Sequence, residues 1–68
     1  MTYRITKFDI TGRKIADLGC RPSVIAARNV MIEDAGREPV EAPFYCPELH
    51  IVEGWFVGSA EYNIEAVH

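Results

Sequence analysis

Pro22 and Gly36 bracket the one stretch of this chain in which apolar residues recur at helical spacing, which confines α-helix to a single segment. Between them Val24, Ile25, Ala27, Met31, Ile32 and Ala35 return every three or four positions, with Arg28 interrupting at the edge of the stripe. The spacing predicts an amphipathic helix. Pro22 takes its first position, where a missing N–H costs nothing, and Gly36 lies just past its end. On this reading Ile25 belongs to the buried stripe. Glu33 and Asp34 in the last turn oppose the helix dipole, a penalty on the order of a few tenths of a kcal/mol.

On either side of the helix the period drops to two. Residues 2–10 place Tyr3 and Ile5 on one side of a pleat and Arg4 and Thr6 on the other. Asp9, Thr11 and Gly12 make a turn cluster, and the chain returns through Lys14–Cys20, where Ala16, Leu18 and Cys20 alternate with Asp17 and Gly19. Counting back from a loop at residues 10–13 sets Ile5 opposite Leu18 and Tyr3 opposite Cys20. Phe8 and Ile15 then fall on the other face, where a bulge near the turn has to absorb them. After the helix, residues 37–48 carry Pro39, Pro43 and Pro47 and read as a loop, with Phe44, Tyr45 and Cys46 folding back over an edge of the core.

Two further strands, Leu49–Val57 and Ala60–Val67, flank Gly58-Ser59, a pair suited to a two-residue hairpin turn. That turn sets Trp55 opposite Tyr62 and Val57 opposite Ala60. Gly54, in mid-strand, marks a bulge. Tyr62, Ile64 and Ala66 alternate with Glu61, Asn63 and Glu65, giving the last strand one dry and one wet face.

The order is ββαββ, and the economical α+β solution is a four-stranded, largely antiparallel sheet with one amphipathic helix packed across one face. The open face then carries Arg4, Thr6, Asp17, Val52, Phe56, Glu61 and Glu65, of which Val52 and Phe56 are apolar where water is expected. With 68 residues the chain is a single domain, residues 1–68, without internal repeats. So small a domain buries only about 60% of its unfolded surface, which makes every core residue costly to lose and self-association into a homodimer attractive. Trp55 and Ile25 are expected in that core, each costing about 2–5 kcal/mol when cut to alanine.

Composition narrows the function classes. The chain is 49% hydrophobic and 25% charged, as folded soluble domains are. It contains no apolar run near the roughly 20 residues that cross a bilayer, and charge stands where a signal peptide is apolar. A cytoplasmic protein is expected. Cys20 and Cys46 read as reduced thiols. Together with His50 and His68 they make a poor zinc set, lacking the short paired spacings of structural sites, so no metal is expected. A Cys46/His50 nucleophile pair would cross a proline and a change from loop to strand, and Glu61 and Glu65 share a strand face with no cavity behind it. Glycine-rich phosphate loops and serine elbows are absent. No catalytic residue, no cofactor and no enzyme activity are expected.

Charge is unevenly placed. Arg4, Lys7, Arg13, Lys14, Arg21, Arg28 and Arg37 all lie in the first 37 residues, against four acids; from residue 38 onward six glutamates stand alone. Such asymmetry hints at a charged partner surface. The expected partner-binding residues are Arg13, Lys14, Arg21 and Arg28, which the first hairpin and the helix start could bring together, with Phe56 on the open strand face as the competing surface. Nucleic acid would be held only nonspecifically, because the pI is about 5.2 and no aromatic-interleaved recognition sequence is present.

The Tyr3-Arg4-Ile5-Thr6-Lys7-Phe8-Asp9 strand, the turn at Thr11-Gly12, the helix with Val24-Ile25-Ala26-Ala27-Arg28 and the Trp55-containing last hairpin resemble small phage and mobile-element proteins, among them anti-CRISPR proteins of type I systems. The resemblance lies in the order of elements and carries no motif from which a functional residue could be transferred. It implies a rigid inhibitor that docks on a protein partner such as a Cas surveillance complex and blocks access of target DNA or nuclease. The glutamate-rich second half departs from members that bind through a basic face.

Overall fold

Ser23 opens the helix. Its extended backbone (φ −143°, ψ 160°) and its hydroxyl, which accepts from the Ala26 N–H at 3.1 Å, make it the N-cap of α1, Val24–Ala35, in a computed structural model that describes residues 1–68. Pro22, expected as the first helical residue, instead precedes the cap. Gly36 ends α1 at φ 76°, and its N–H donates to the Ile32 carbonyl, as expected for a residue just past a helix.

Five strands surround this helix in sequence rather than four: β1 Thr2–Phe8, β2 Lys14–Arg21, β3 Phe44–Cys46, β4 Ile51–Val57 and β5 Ala60–Val67. They form one sheet in the order β2-β1-β5-β4-β3, with every neighbouring pair antiparallel. The additional strand, β3, comes from the proline-rich segment read as loop. Pro43 and Pro47 flank it instead of interrupting it, and it lies at the sheet edge, where one side of the backbone needs no partner. A 3-10 turn, Pro47–Leu49, then leads through His50, at φ 58°, into β4.

The first hairpin turns on Asp9, whose Oδ1 accepts from the Thr11 N–H, the Thr11 hydroxyl and the Arg13 N–H. Beyond it the register carries two bulges. Leu18 and Gly19 together span the length that Ile5 spans alone, so Tyr3 faces Arg21 where Cys20 was expected, and Gly19 takes φ 90° to allow it. The second bulge extrudes Ile15, the residue that had to be absorbed near the turn. In the second hairpin Trp55 pairs with Tyr62 and Val57 with Ala60, as the two-residue turn requires.

The core lies between α1 and the sheet. Ile5, Val57, Tyr62 and Ile64 form its floor, and Ala27 and Met31 press down from the helix. Leu18, Val30, Ile32, Trp55 and Val52 close its margins. Only nine residues in the whole chain are buried, so little apolar area separates the folded from the unfolded state. Ile25, expected in this core, is 67% exposed: two residues before Ala27, it lies about 200° round the helix from the seam. Val52, expected on the open face, packs against the helix-side core, because a bulge between Ile51 and Glu53 shifts the alternation. Ile51 takes its place opposite Glu65 and is buried there. No helix is long and apolar enough to cross a membrane.

Candidate docking surface

Two polar clasps tie α1 to the sheet, and they decide which charged residues remain free. Arg28 donates through Nε to Glu53 Oε1 at 3.0 Å and through Nη2 to Oε2, while its guanidinium lies 5.6 Å from the centre of the Trp55 ring. Trp55 Nε1 donates to the same Glu53 Oε1 at 2.9 Å. At the other end of the helix Asp34 Oδ2 accepts from the Tyr62 hydroxyl at 2.7 Å and from Lys7 Nζ at 2.9 Å. The carboxylate near the end of α1 therefore meets a cation in the sheet instead of only an unfavourable dipole.

The second clasp predicts a two-sided pH profile. The bond from Lys7, and after it that from Tyr62, hold the Asp34 carboxyl below its ordinary 3.8. Asp34 thus adds stability that is present above that value and lost as pH falls through the lower value of the folded protein. Burial first, then the bond to Asp34, push the Tyr62 phenol above 10.0, and the bond to Asp34 raises Lys7 above 10.5. Their contribution is present below those values and lost as pH rises through the raised ones. Urea midpoints measured from about pH 3 to about pH 11 should fall at both ends, and Asp34→Asn should flatten the acid arm and shrink the alkaline one, which keeps the part due to burial of Tyr62. An unchanged profile in that variant would exclude the clasp as the cause. Asp9, also held below its ordinary range, first by the Thr11 hydroxyl and then by the Arg13 N–H, leaves a residual acid arm.

The four basic residues expected to form a patch are not brought together. Arg13 and Lys14 sit at the turn end of β2, and Arg21 at its far end, roughly 20 Å along the strand. Arg21 folds back to donate to the Cys20 carbonyl. Arg28 is engaged by Glu53 across the helix–sheet seam.

Phe56 is placed differently. Across the open face Phe8, Glu61 and Phe56 form one lateral row, and Thr6, Asn63 and Gly54 form the next. Phe44 on β3 lies over Gly54, where any Cβ would overlap its ring, and it leans on Phe56 with ring centres 5.6 Å apart. Thr6 is buried, and so is the unpartnered Asn63 Oδ1, so the middle of this face is already dry. Phe56 itself is 53% exposed and stands as a wall between two clefts. The larger, about 440 Å³, is lined by both hairpin turns, including Asp9, Ile10 and Glu61; the smaller, about 200 Å³, by Arg37, Glu38, Val40 and Glu41. Ile10 and Val40 are among the most exposed apolar side chains of the protein. Sequence reading finds Phe56, an apolar residue on a wet face, but not Ile10 or Val40, which lie in turn and loop segments with no period to place them.

The thiols and imidazoles stay apart from this ridge. Cys20 and Cys46 are free and occupy one lateral row at opposite edges of the sheet, with Arg4, Glu65 and Ile51 between them. At about 4.8 Å per strand they are some 19 Å apart, beyond the reach of a disulfide. His50 and His68 meet edge to face at 6.2 Å. No three His, Cys, Asp or Glu side chains are placed to hold a metal ion. Comparison of the chain with protein-family models, curated proteins and solved structures finds no match.

Proposed function

We propose that this protein acts by docking on another protein through the ridge built around Phe56, without catalysing a reaction, and that it does so in the cytoplasm. The observation that carries the reading is the exposure of Phe56, braced by Phe44 and continued by Ile10 and Val40, on a face whose surrounding charges are mostly acidic. A braced aromatic with an apolar surround and a polar rim is the usual make-up of a binding hot spot. Acidic residues round the ridge disfavour phosphate, which speaks against nucleic acid at this face. Inhibition of the anti-CRISPR kind, in which a small rigid domain shields a nucleoprotein complex from DNA or nuclease, is the specific role that the element order suggests, and the ridge would supply its contact surface.

Affinity capture from a bacterial lysate, with and without nuclease, tests this reading. A bound protein should survive nuclease and moderate salt, and Phe56→Ala, so long as its circular dichroism shows a folded protein, should weaken its capture by about tenfold or more, roughly 1.4 kcal/mol. Charge reversal at Arg13 and Lys14 should have a smaller effect. If nuclease releases the partner, or if the arginine and lysine reversals abolish capture while Phe56→Ala leaves it intact, the basic residues are the interface and the ridge is not.

A further inference from the structure

The larger cleft has a chemistry more specific than an apolar surface. Its walls are the two hairpin turns, Asp9 to Gly12 on one side and Gly58-Ser59 on the other, with Phe56, Ala60 and Glu61 between them. Asp9 is locked in place by three hydrogen bonds, all to Oδ1, which leaves Oδ2 without a donor. Glu61 enters no ion pair and no side-chain hydrogen bond. Lys7, Arg13 and Lys14, the cations nearest in sequence to Asp9, do not line the cleft, and none of them pairs with these carboxylates; Lys7 is held by Asp34. The cleft therefore offers an exposed aromatic ring, an aliphatic wall at Ile10 and two carboxylates with unused acceptors. Water can solvate those carboxylates, and no cation of this chain pairs with them; the Arg37 guanidinium packs against Gly58 at the turn and makes no ion pair with either.

Resting on the docking function proposed above, we infer that this cleft receives an arginine side chain of the partner, flanked by an aliphatic residue. A guanidinium is planar and weakly hydrated; it stacks on an aromatic face and pairs with carboxylates at its edge. Phe56 supplies the face, Glu61 and Asp9 the edge, and Ile10 meets the aliphatic neighbour. A volume of about 440 Å³ accommodates both side chains. Anionic ligands are repelled by the same two carboxylates, and a purely apolar segment would leave them facing it without a counter-charge.

A random peptide library displayed on phage and selected on the wild-type protein supplies the probe. Enriched peptides should carry arginine beside an aliphatic residue. Resynthesised with citrulline in place of that arginine, they should bind about tenfold more weakly. Glu61→Gln should weaken the arginine peptide several-fold and leave the citrulline peptide unaffected, and raising salt from about 50 mM to about 300 mM should narrow the gap between the two peptides. Phe56→Ala should weaken both; if that variant fails to fold, Phe56→Leu keeps apolar bulk and removes the ring face. Peptides that need Phe56 but tolerate citrulline and Glu61→Gln would overturn the arginine inference while leaving the docking face standing. Peptides that bind wild type and Phe56→Ala equally, or failure to enrich any peptide, would overturn both.

Discussion

Met31→Ala is expected to cost about 2–5 kcal/mol and to leave little folded protein, whereas Ile25→Ala, a little over half a turn from the buried Ala27, should change stability by less than about 0.5 kcal/mol. Met31 is fully buried in one cluster with Ile5, Tyr62 and Ile64, and truncating it leaves a cavity at the centre of a six-residue core. Domains of this size sit near the low end of folding stability, about 5 kcal/mol, so one such cavity can consume most of the margin. Ile25 points to water, and alanine is the better helix former. Urea denaturation followed by circular dichroism measures both. If Met31→Ala proves insoluble, Ile64→Val, at about 0.5–1.5 kcal/mol, is the gentler test of the same seam. Equal losses at Met31 and Ile25 would mean that the helix is rotated from the orientation described here.

Glu53→Ala should be the most damaging polar substitution, at about 2 kcal/mol. Its side chain is 17% exposed and accepts from Arg28 Nε and Nη2 and from Trp55 Nε1, so removing it leaves three N–H donors without a partner. The loss stays below that of a fully buried pair because Arg28 is partly open to solvent and its guanidinium can turn into water. Glu53→Gln, which retains one acceptor, should lie between. Trp55, the only tryptophan, reports the change directly: its fluorescence should shift to the red in Glu53→Ala before unfolding begins. A double-mutant cycle with Arg28→Ala should give a coupling on the order of 1 kcal/mol, and a coupling near zero would show that the two side chains act independently.

How much of this was legible beforehand differs from element to element, for physical reasons. A two-residue turn leaves no freedom of register, so Gly58-Ser59 determines that Trp55 faces Tyr62 and Val57 faces Ala60. The longer Asp9 turn leaves freedom, and the bulge at Leu18 and Gly19 uses it; Gly19 in mid-strand was the available signal. A strand as short as β3 has no period to detect, and its pairing depends on Gly54, nearly ten residues further on, having no side chain. Ile25 was misplaced because hydrophobic spacing alone counts apolar residues without knowing how narrow a seam the sheet offers. Arg28 looked available because its partner, Glu53, lies 25 residues away. Phe56 was visible as an apolar residue among polar neighbours, but the cleft beside it required the two hairpin turns to meet in space.

The sheet order has a consequence for how the chain reaches this state. β1 and β5, the first and last strands, lie side by side at the centre, Thr2 paired with Val67 and Ile5 with Ile64. Each hairpin can form from local contacts, but neither buries its apolar face alone. The decisive event is the meeting of segments almost a whole chain length apart, which places the main entropic barrier to folding at the central seam rather than at either turn. During synthesis the central seam cannot close until β5 has left the ribosome. Until then Ile5 and Met31 lack the Tyr62 and Ile64 side chains that complete their packing, and the eight-residue β5 supplies both the missing strand pairing and that part of the core.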